Sequence, residues 1–434
     1  MTLPTDHPYR RDLNDEVHAR PPEALAAPLR ISYLALFNDK SQRETEALPI
    51  HELAARFGHP PPAPRANHFS ADLGAFRVKW ERHTEFTRYK FILKGVGDDP
   101  FAEPAIASVP ADWLAKLPGQ IMVAAHVALV LAPARASDPE ALSARLFGGN
   151  TLVGSSIADG AATAYTDFRV HADNFSRLLV QDNGLTPRQA GRSIQRLLEI
   201  DTYRIMALLT LPVARDLTPF LVRCERELSA VTTALVSAGE ADEPDLLNRL
   251  TRLEAEIESR HSDNYSRFGA AKAYYDLVQR RIEELRETRV VGLQNFQEFT
   301  ERRLAPAMNT CRAVAERQDA LSKRVAQTTQ LLSTRVAVAR EQQNQKVLEQ
   351  MNKRARLQLR LQETVEGLSV AAVTYYVVGL VGYGAKALKA AGRDINPDVW
   401  TGISIPVVAL LVALGLNKFR KVFPGSAAKA RKSG

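Results

Sequence analysis

Two apolar runs near the C-terminal end of the sequence, residues 367–385 and 399–417, contain no Asp, Glu, Lys, Arg or His. The hydrocarbon core of a bilayer is roughly 30 Å thick and takes about 20 helical residues to cross, and lipid offers no partner to an unpaired backbone amide. Each run is therefore predicted to be a transmembrane helix. A buried helical hairpin is the alternative for such a pair, and the flanks argue against it. Lys386, Lys389 and Arg393 follow the first run; Lys418, Arg420, Lys421, Lys429, Arg431 and Lys432 follow the second with no acid among them. Basic residues concentrate on the cytoplasmic side, and the loop's positive charges are diluted by Asp394 and Asp398, so the C-terminus is expected in the cytoplasm. Two crossings return the chain to its starting side, which places residues 1–366 there too.

Further upstream the period of the pattern changes. Between residues 31 and 170 short apolar runs alternate with Pro, Gly and Asp, and strands are predicted at 31–37, 76–81 continuing toward 93, 121–131, 152–157 and 164–170. The Pro-rich stretch 54–66 reads as loop or extended chain. No Gly-rich phosphate turn follows a strand and no regular strand and helix alternation shows, so a mixed or antiparallel sheet is expected rather than a doubly wound one.

After Gly184 the pattern becomes helical. Thr186, Pro187 and Gln189 form a capping box with Pro at the first helical position, and a second start is read at Thr218 and Pro219. Gly239, Pro244, Gly269, Gly292 and Pro306 divide the rest into about four helices with charges of alternating sign, as in coiled-coil or bundle helices. From residue 307 no Gly or Pro occurs until Gly367, a stalk of roughly 90 Å if unbroken. A 3-4 spacing runs through Met351, Ala355, Gln358, Gln362 and Val365, and on through Ser369, Ala372, Tyr376, Gly379 and Tyr383. One face is thus expected to point at the same neighbour or axis from stalk into bilayer.

Composition narrows the class. An apolar fraction of 45% is ordinary for folded protein, and the net charge of +8 is modest and gathered largely beside the predicted spans, where anionic lipid is the natural partner. Nucleic acid is not expected, because no recognised motif or stacking groove appears. Cys224 and Cys311 lack metal-ligand spacing and read as buried thiols of a reducing compartment. Residues 1–20 are charged and do not form a secretory signal.

The words of the sequence resemble a known family. His7-Pro8, the run from Leu13 to Pro22, the run from Lys79 to Phe86, Gly191-Arg192 with Gln195 to Ile200 and Thr202 to Arg204, and the run from Thr364 to Val370 resemble a bacterial family of uncharacterised membrane-anchored proteins built on a domain of unknown function. The resemblance spans nearly the whole chain and implies a bacterial inner-membrane location without an assigned activity. In layout the chain also resembles the CorA magnesium transporters. In that family the first span lines a pentameric pore and ends in Tyr-Gly-Met-Asn; here Tyr383-Gly384 is followed by Ala385-Lys386, so the cation-meeting Asn is absent.

Three constellations carry candidate chemistry. In an extended run from Trp80 to Phe86, Glu81, His83 and Glu85 would share one face, a set able to hold a divalent cation or to serve as acid and base, with a salt-bridged strand face as the commoner arrangement. Asp15, Glu16, His18 and Arg20 form a dense group that reads as a docking arm. Ser369, Tyr376, Gly379 and Tyr383 would line a narrow polar path, with Asp394, Asn396 and Asp398 gathering cations at its mouth. Serine elbows, phosphate loops and Cys-x-x-Cys pairs are missing.

The expected architecture is therefore an α+β cytoplasmic domain (1–184), a helical bundle (185–306), a stalk helix (307–366), two transmembrane helices (367–418) and a basic tail (419–434), a CorA-like order. The expected function is that of an oligomeric inner-membrane protein, a cation channel or transporter rather than an enzyme. A membrane-tethered scaffold or sensor is the alternative, and a metal-dependent cytoplasmic enzyme the third.

Overall fold

The computed structural model describes residues 4–11, 13–14, 21–38, 45–63, 66–135 and 137–422, and falls into two compact units, Met1–Gln330 and Leu331–Gly434. The group Asp15, Glu16, His18 and Arg20 lies outside the described residues.

The first unit opens with a nine-stranded sheet. In chain order its elements are β1 (Leu29–Phe37), α1 (Leu48–Arg56), β2 (His68–Asp72), β3 (Arg77–Arg82), β4 (Phe86–Lys94), α2 (Ala111–Leu114), β5 (Gln120–Leu131), α3 (Pro139–Leu146), β6 (Val153–Ile157), β7 (Ala162–Thr166) and β8 (Ser176–Asp182). Helices α4 (Pro187–Leu208), α5 (Thr210–Ser237) and α6 (Glu243–Leu285) follow, then β9 (Thr288–Arg289), α7 (Phe296–Arg303) and α8 (Ala305–Ala390). The strand order is β2-β3-β4-β1-β5-β8-β7-β6-β9. Every pairing is antiparallel except β5 with β8, so the sheet is mixed, as the lack of regular alternation suggests.

Alternation sorts the two faces of this sheet. Leu34, Leu36, Val78, Trp80, Tyr89 and Phe91 point to one side and bury against Ile50 and Leu53 of α1 and against Trp113 of α2. The Trp113 indole N–H donates to Pro49 O at 2.6 Å, which lets a polar ring atom sit in that core. The opposite side is covered by α4, which begins where the sequence says it should: Gln189 N donates to Thr186 Oγ1 and Thr186 N donates to Gln189 Oε1.

Several boundaries differ from the sequence reading. The run 76–93 is two strands, because the chain reverses at 83–85, where His83 N donates to Phe86 O at 2.9 Å. Strand β7 stops at Thr166 rather than 170, since Phe168 N and Arg169 N are taken by the Thr166 and Asp167 side chains and Phe168 adopts a positive φ of 52°. Residues 54–56 finish helix α1, whose first turn carries Pro49. Helix α5 starts at Thr210 and holds Pro219 in its interior, so Thr218-Pro219 is not a start.

Helices α5, α6 and the first part of α8 bury Leu221, Cys224, Leu228 and Val231, Leu246, Leu250, Leu253 and Ile257, and Met308, Cys311, Val314, Leu321 and Val325. The 3-4 spacing of these rows is that of a helical bundle. Both cysteines are free, buried thiols.

In the second unit the remainder of α8 runs through Gly367 without a break to Ala390, and α9 spans Pro397–Val422. Gly392 (φ 89°) supplies the left-handed residue of the turn between them. The helices meet at Gly382, where a Cβ would sit 3.1 Å from Thr401 Oγ1. Val378 and Ala385 flank that contact and are buried. Elsewhere the unit exposes Leu368, Tyr375, Tyr376, Leu380, Ile403, Leu410 and Leu411.

Candidate functional site

The α4-facing side of the sheet carries charge where apolar residues are the rule. The β3–β4 register places Lys79 opposite Lys90 and Glu81 opposite Arg88, and β1 places Tyr33 opposite Lys90, so all five side chains share that face. Ion pairs run through it in alternating sign: Lys79 Nζ to Glu81 Oε1 at 3.2 Å, Glu81 Oε2 to Arg88 Nε at 2.5 Å, and Arg88 Nη1 to Glu199 Oε1 of α4 at 3.2 Å. The chain continues from Glu199 Oε2 to Arg281 Nε of α6 at 2.5 Å, then to Glu284 and back to Arg196 of α4, each step at 3.0 Å. It ties sheet, α4 and α6 to one another.

Electrostatics explain why the carboxylates stay ionised. Burial pushes Glu81 upward, but Arg88, Lys90 and Lys79 outweigh it and hold the carboxyl well below the ordinary range. Glu199 is lowered in the same way, burial being overcome by Arg88 and Arg281. Thr202 donates its hydroxyl to Leu198 O, so the Tyr33 hydroxyl donates to Thr202 Oγ1 at 2.8 Å, and burial pushes that phenol far up.

Lys90 is the exception. It is 6% exposed and has no ion pair or hydrogen bond among the described residues, and with Lys79 and Arg88 it makes three buried cations against the two carboxylates of Glu81 and Glu199. Burial, reinforced by Arg88, lowers it to about 7.

The segment before β1 closes the edge of this layer. Lys79 Nζ donates to Pro21 O at 2.8 Å, Glu23 accepts from Ser70 at 2.6 Å and pairs with Arg77 at 3.2 Å, and Leu25 N donates to Pro187 O. Gly191 makes the crossing possible: a Cβ there would lie 1.6 Å from Glu23 O.

The predicted metal set does not come together as an open site. Glu81 is committed to Lys79 and Arg88, while His83 and Glu85 lie in the β3–β4 turn rather than on the strand. His83 stacks on Phe86 with ring centroids 4.4 Å apart, and Glu85 is held by both terminal nitrogens of Arg267 at 2.9 and 3.3 Å. Among the described residues no group of three His, Cys, Asp or Glu is placed to hold a metal ion.

On the other face, Ser32 Oγ lies 3.0 Å from His126 Nδ1, and Asp173 lies 3.9 Å from Nε2. This is no nucleophile. Ser32 is fully buried, and its oxygen also accepts from Ile106 N at 3.0 Å, so the hydroxyl is held between the imidazole and the backbone. Burial lowers His126 to about 4, and Phe175 stacks on it at 3.9 Å.

In the second unit, Tyr376 and Tyr383 are 71% and 73% exposed. At about 100° per residue they lie roughly 160° and 140° around α8 from the buried Val378. The Ser369 hydroxyl is spent on Val365 O at 2.9 Å. Asn396 Oδ1 accepts from Asp398 N at 3.2 Å and caps α9, while Asp394 and Asp398 are exposed. A groove of about 930 Å³ opens along the two helices, lined by Thr374, Tyr376, Gly379 and Tyr383 of α8 and by Thr401 and Ile405 of α9.

A family model described as a protein of unknown function, DUF3422, matches residues 5–423. The chain belongs to that family. No curated protein and no solved structure matches it. The DUF3422 match runs through both units, so the ionic layer and the two C-terminal helices fall within one family pattern. Of that layer, sequence reading singled out Glu81 alone as chemistry. Lys90, Glu199 and Arg281 are far apart in the sequence, and no short spacing joins them; the one signal was charge at alternating positions of β3 and β4.

Three helical stretches are long and apolar enough to cross a membrane: Pro187–Ser237, Ala305–Ala390 and Pro397–Gly415. Their apolar windows are 33%, 6% and 0% buried. The first covers α4 and α5, and its Glu199, Asp201 and Thr202 bond to Arg88, Ser176 and Tyr33 of the sheet, so its apolar face is used within the protein. The other two find no such cover among the described residues.

Proposed function

We propose that this chain is a two-span integral protein of the bacterial inner membrane that holds its folded α/β and helical unit at the cytoplasmic face, as a tethered scaffold or sensor. One observation carries the reading. The apolar windows of α8 and α9 are almost wholly uncovered by protein, and in water each fully exposed Leu or Ile of such a window forgoes about 1.5–3 kcal/mol of burial. The absence of ionisable side chains from both windows agrees with hydrocarbon as the covering phase. The basic residues that end α9, with Lys353, Arg354, Arg356 and Arg360 ahead of the first span, supply the positive side and a contact for anionic lipid. Alkaline carbonate washing tests it: the full chain stays with the membranes. Release into the supernatant would end the reading.

A second reading, an oligomeric cation path of CorA-like layout, is favoured by the exposure of Tyr376 and Tyr383 on α8 and by the exposed Asp394 and Asp398 beside the turn. Purified chain in liposomes then conducts a divalent cation, and Asp394→Asn with Asp398→Asn lowers the flux. No flux in sealed vesicles would remove it. The metal-dependent enzyme gains no support, since Glu81 and Glu85 are engaged by cations of the protein itself.

A further inference from the structure

Among the described residues, one face of α8 in the second unit lacks a neighbouring helix on both sides of the expected membrane boundary. Val347, Met351, Leu361 and Val365 recur at helical spacing before the apolar window, and Leu368, Tyr376 and Tyr383 continue the row inside it; all are exposed. Lys353, Arg356, Arg360 and Glu363 turn to other sides of the helix. Arg354 and Gln358 interrupt the row, as single polar residues do in helical seams where they set register.

We propose that this face is the interface with a second copy of the chain, the two α8 helices packing parallel and in register from Val347 to Tyr383. The proposal rests on the two-span membrane reading. Three features select the occupant. Lipid tails can cover Leu368 and the tyrosines but not Val347 or Met351, which lie about 20 residues before the first span's start, in water; a soluble partner covers only the latter. The Tyr376 and Tyr383 hydroxyls have no hydrogen bond among the described residues, and hydrocarbon offers none, so they need a polar neighbour at the same depth. Every copy crosses the bilayer in the same direction, so a second copy brings a matching row, and matching hydroxyls, at every level. The Ser369 oxygen, whose proton is already given to Val365 O, remains open as an acceptor.

Single cysteines in the full chain, in native membranes, test this. Cys224 and Cys311 are buried and the unsubstituted chain serves as the blank. Under mild oxidation Val347→Cys, Val365→Cys and Tyr383→Cys form same-residue dimers, and Arg356→Cys, on the opposite side, does not. Tyr376→Phe weakens self-association in the bilayer about three-fold, the usual loss for one interhelical hydrogen bond. Carbonate-resistant chain that gives no dimers, or equal dimers on both faces, would overturn the interface while leaving the membrane reading intact. Chain released by carbonate would overturn both, and an adduct that is not twice the chain's mass would assign the face to a different protein.

Discussion

The two units break the same rule in opposite directions. In the first, five charged side chains lie buried between a sheet and a helix; in the second, whole helical faces of Leu, Val and Tyr lie uncovered. The difference is where the partner is found. Except at Lys90, the buried charges are tolerable because the chain supplies the counter-charges itself, from Lys79 to Arg281, whereas among the described residues nothing in the second unit answers its exposed apolar faces. Partners of the first unit's unusual residues are internal; those of the second are external.

That contrast can be broken most severely at Glu199. Glu199→Ala leaves Glu81 as the one carboxylate against Lys79, Arg88 and Lys90 and removes the bridge to Arg281, and loss of one partner of a buried pair costs about 3–5 kcal/mol. Denaturant unfolding of the detergent-solubilised chain should show a drop of that size; a change below about 1 kcal/mol, the surface-pair range, would mean that the chain of ion pairs is ornamental. Next comes Leu411→Arg, in the middle of α9. A charge at that depth costs about 3 kcal/mol of insertion, so the membrane fraction falls, while the same change at exposed Leu48 of the first unit leaves it unaltered.

Lys90 gives a smaller effect of opposite sign. Its folded value near 7 lies below about 10.4 for an exposed lysine. Between those values the unfolded chain holds a proton that the folded chain does not, so stability rises with pH across that window and falls as pH drops toward 7. Lys90→Met removes this slope and stabilises the chain at pH 7.5 by about 2 kcal/mol. A destabilised Lys90→Met with the slope intact would show that the ammonium has a counter-charge after all. Gly191→Ala meets the Glu23 backbone carbonyl; overpacking costs about 1–3 kcal/mol, read as a lowered melting temperature.

Periodicity made the long elements legible: β1, β5, the α4 capping box and the two C-terminal helices all follow from spacing and capping chemistry. It failed where turns override pattern. His83 to Glu85 alternate like a strand yet close a hairpin, and Thr166 and Asp167 divert their own backbone. Pro219 looked like a helix start because proline favours first turns, but α5 absorbs it. The ionic layer was nearly invisible, since its members come from β3, β4, α4 and α6, and only the sheet register reveals that Lys79 and Lys90 face each other. The uncovered helix faces were the reverse case, because a charge-free run announces itself without any tertiary knowledge.

The central claim, that the uncovered helices cross a bilayer once each and leave the first unit on the inner side, is tested most directly by labelling topology. In spheroplasts of a bacterial host expressing the full chain, an impermeant maleimide should modify Arg393→Cys, in the turn between α8 and α9, while Lys353→Cys, ahead of the first span, reacts only after permeabilisation. Equal labelling of the two positions in intact spheroplasts would contradict the account.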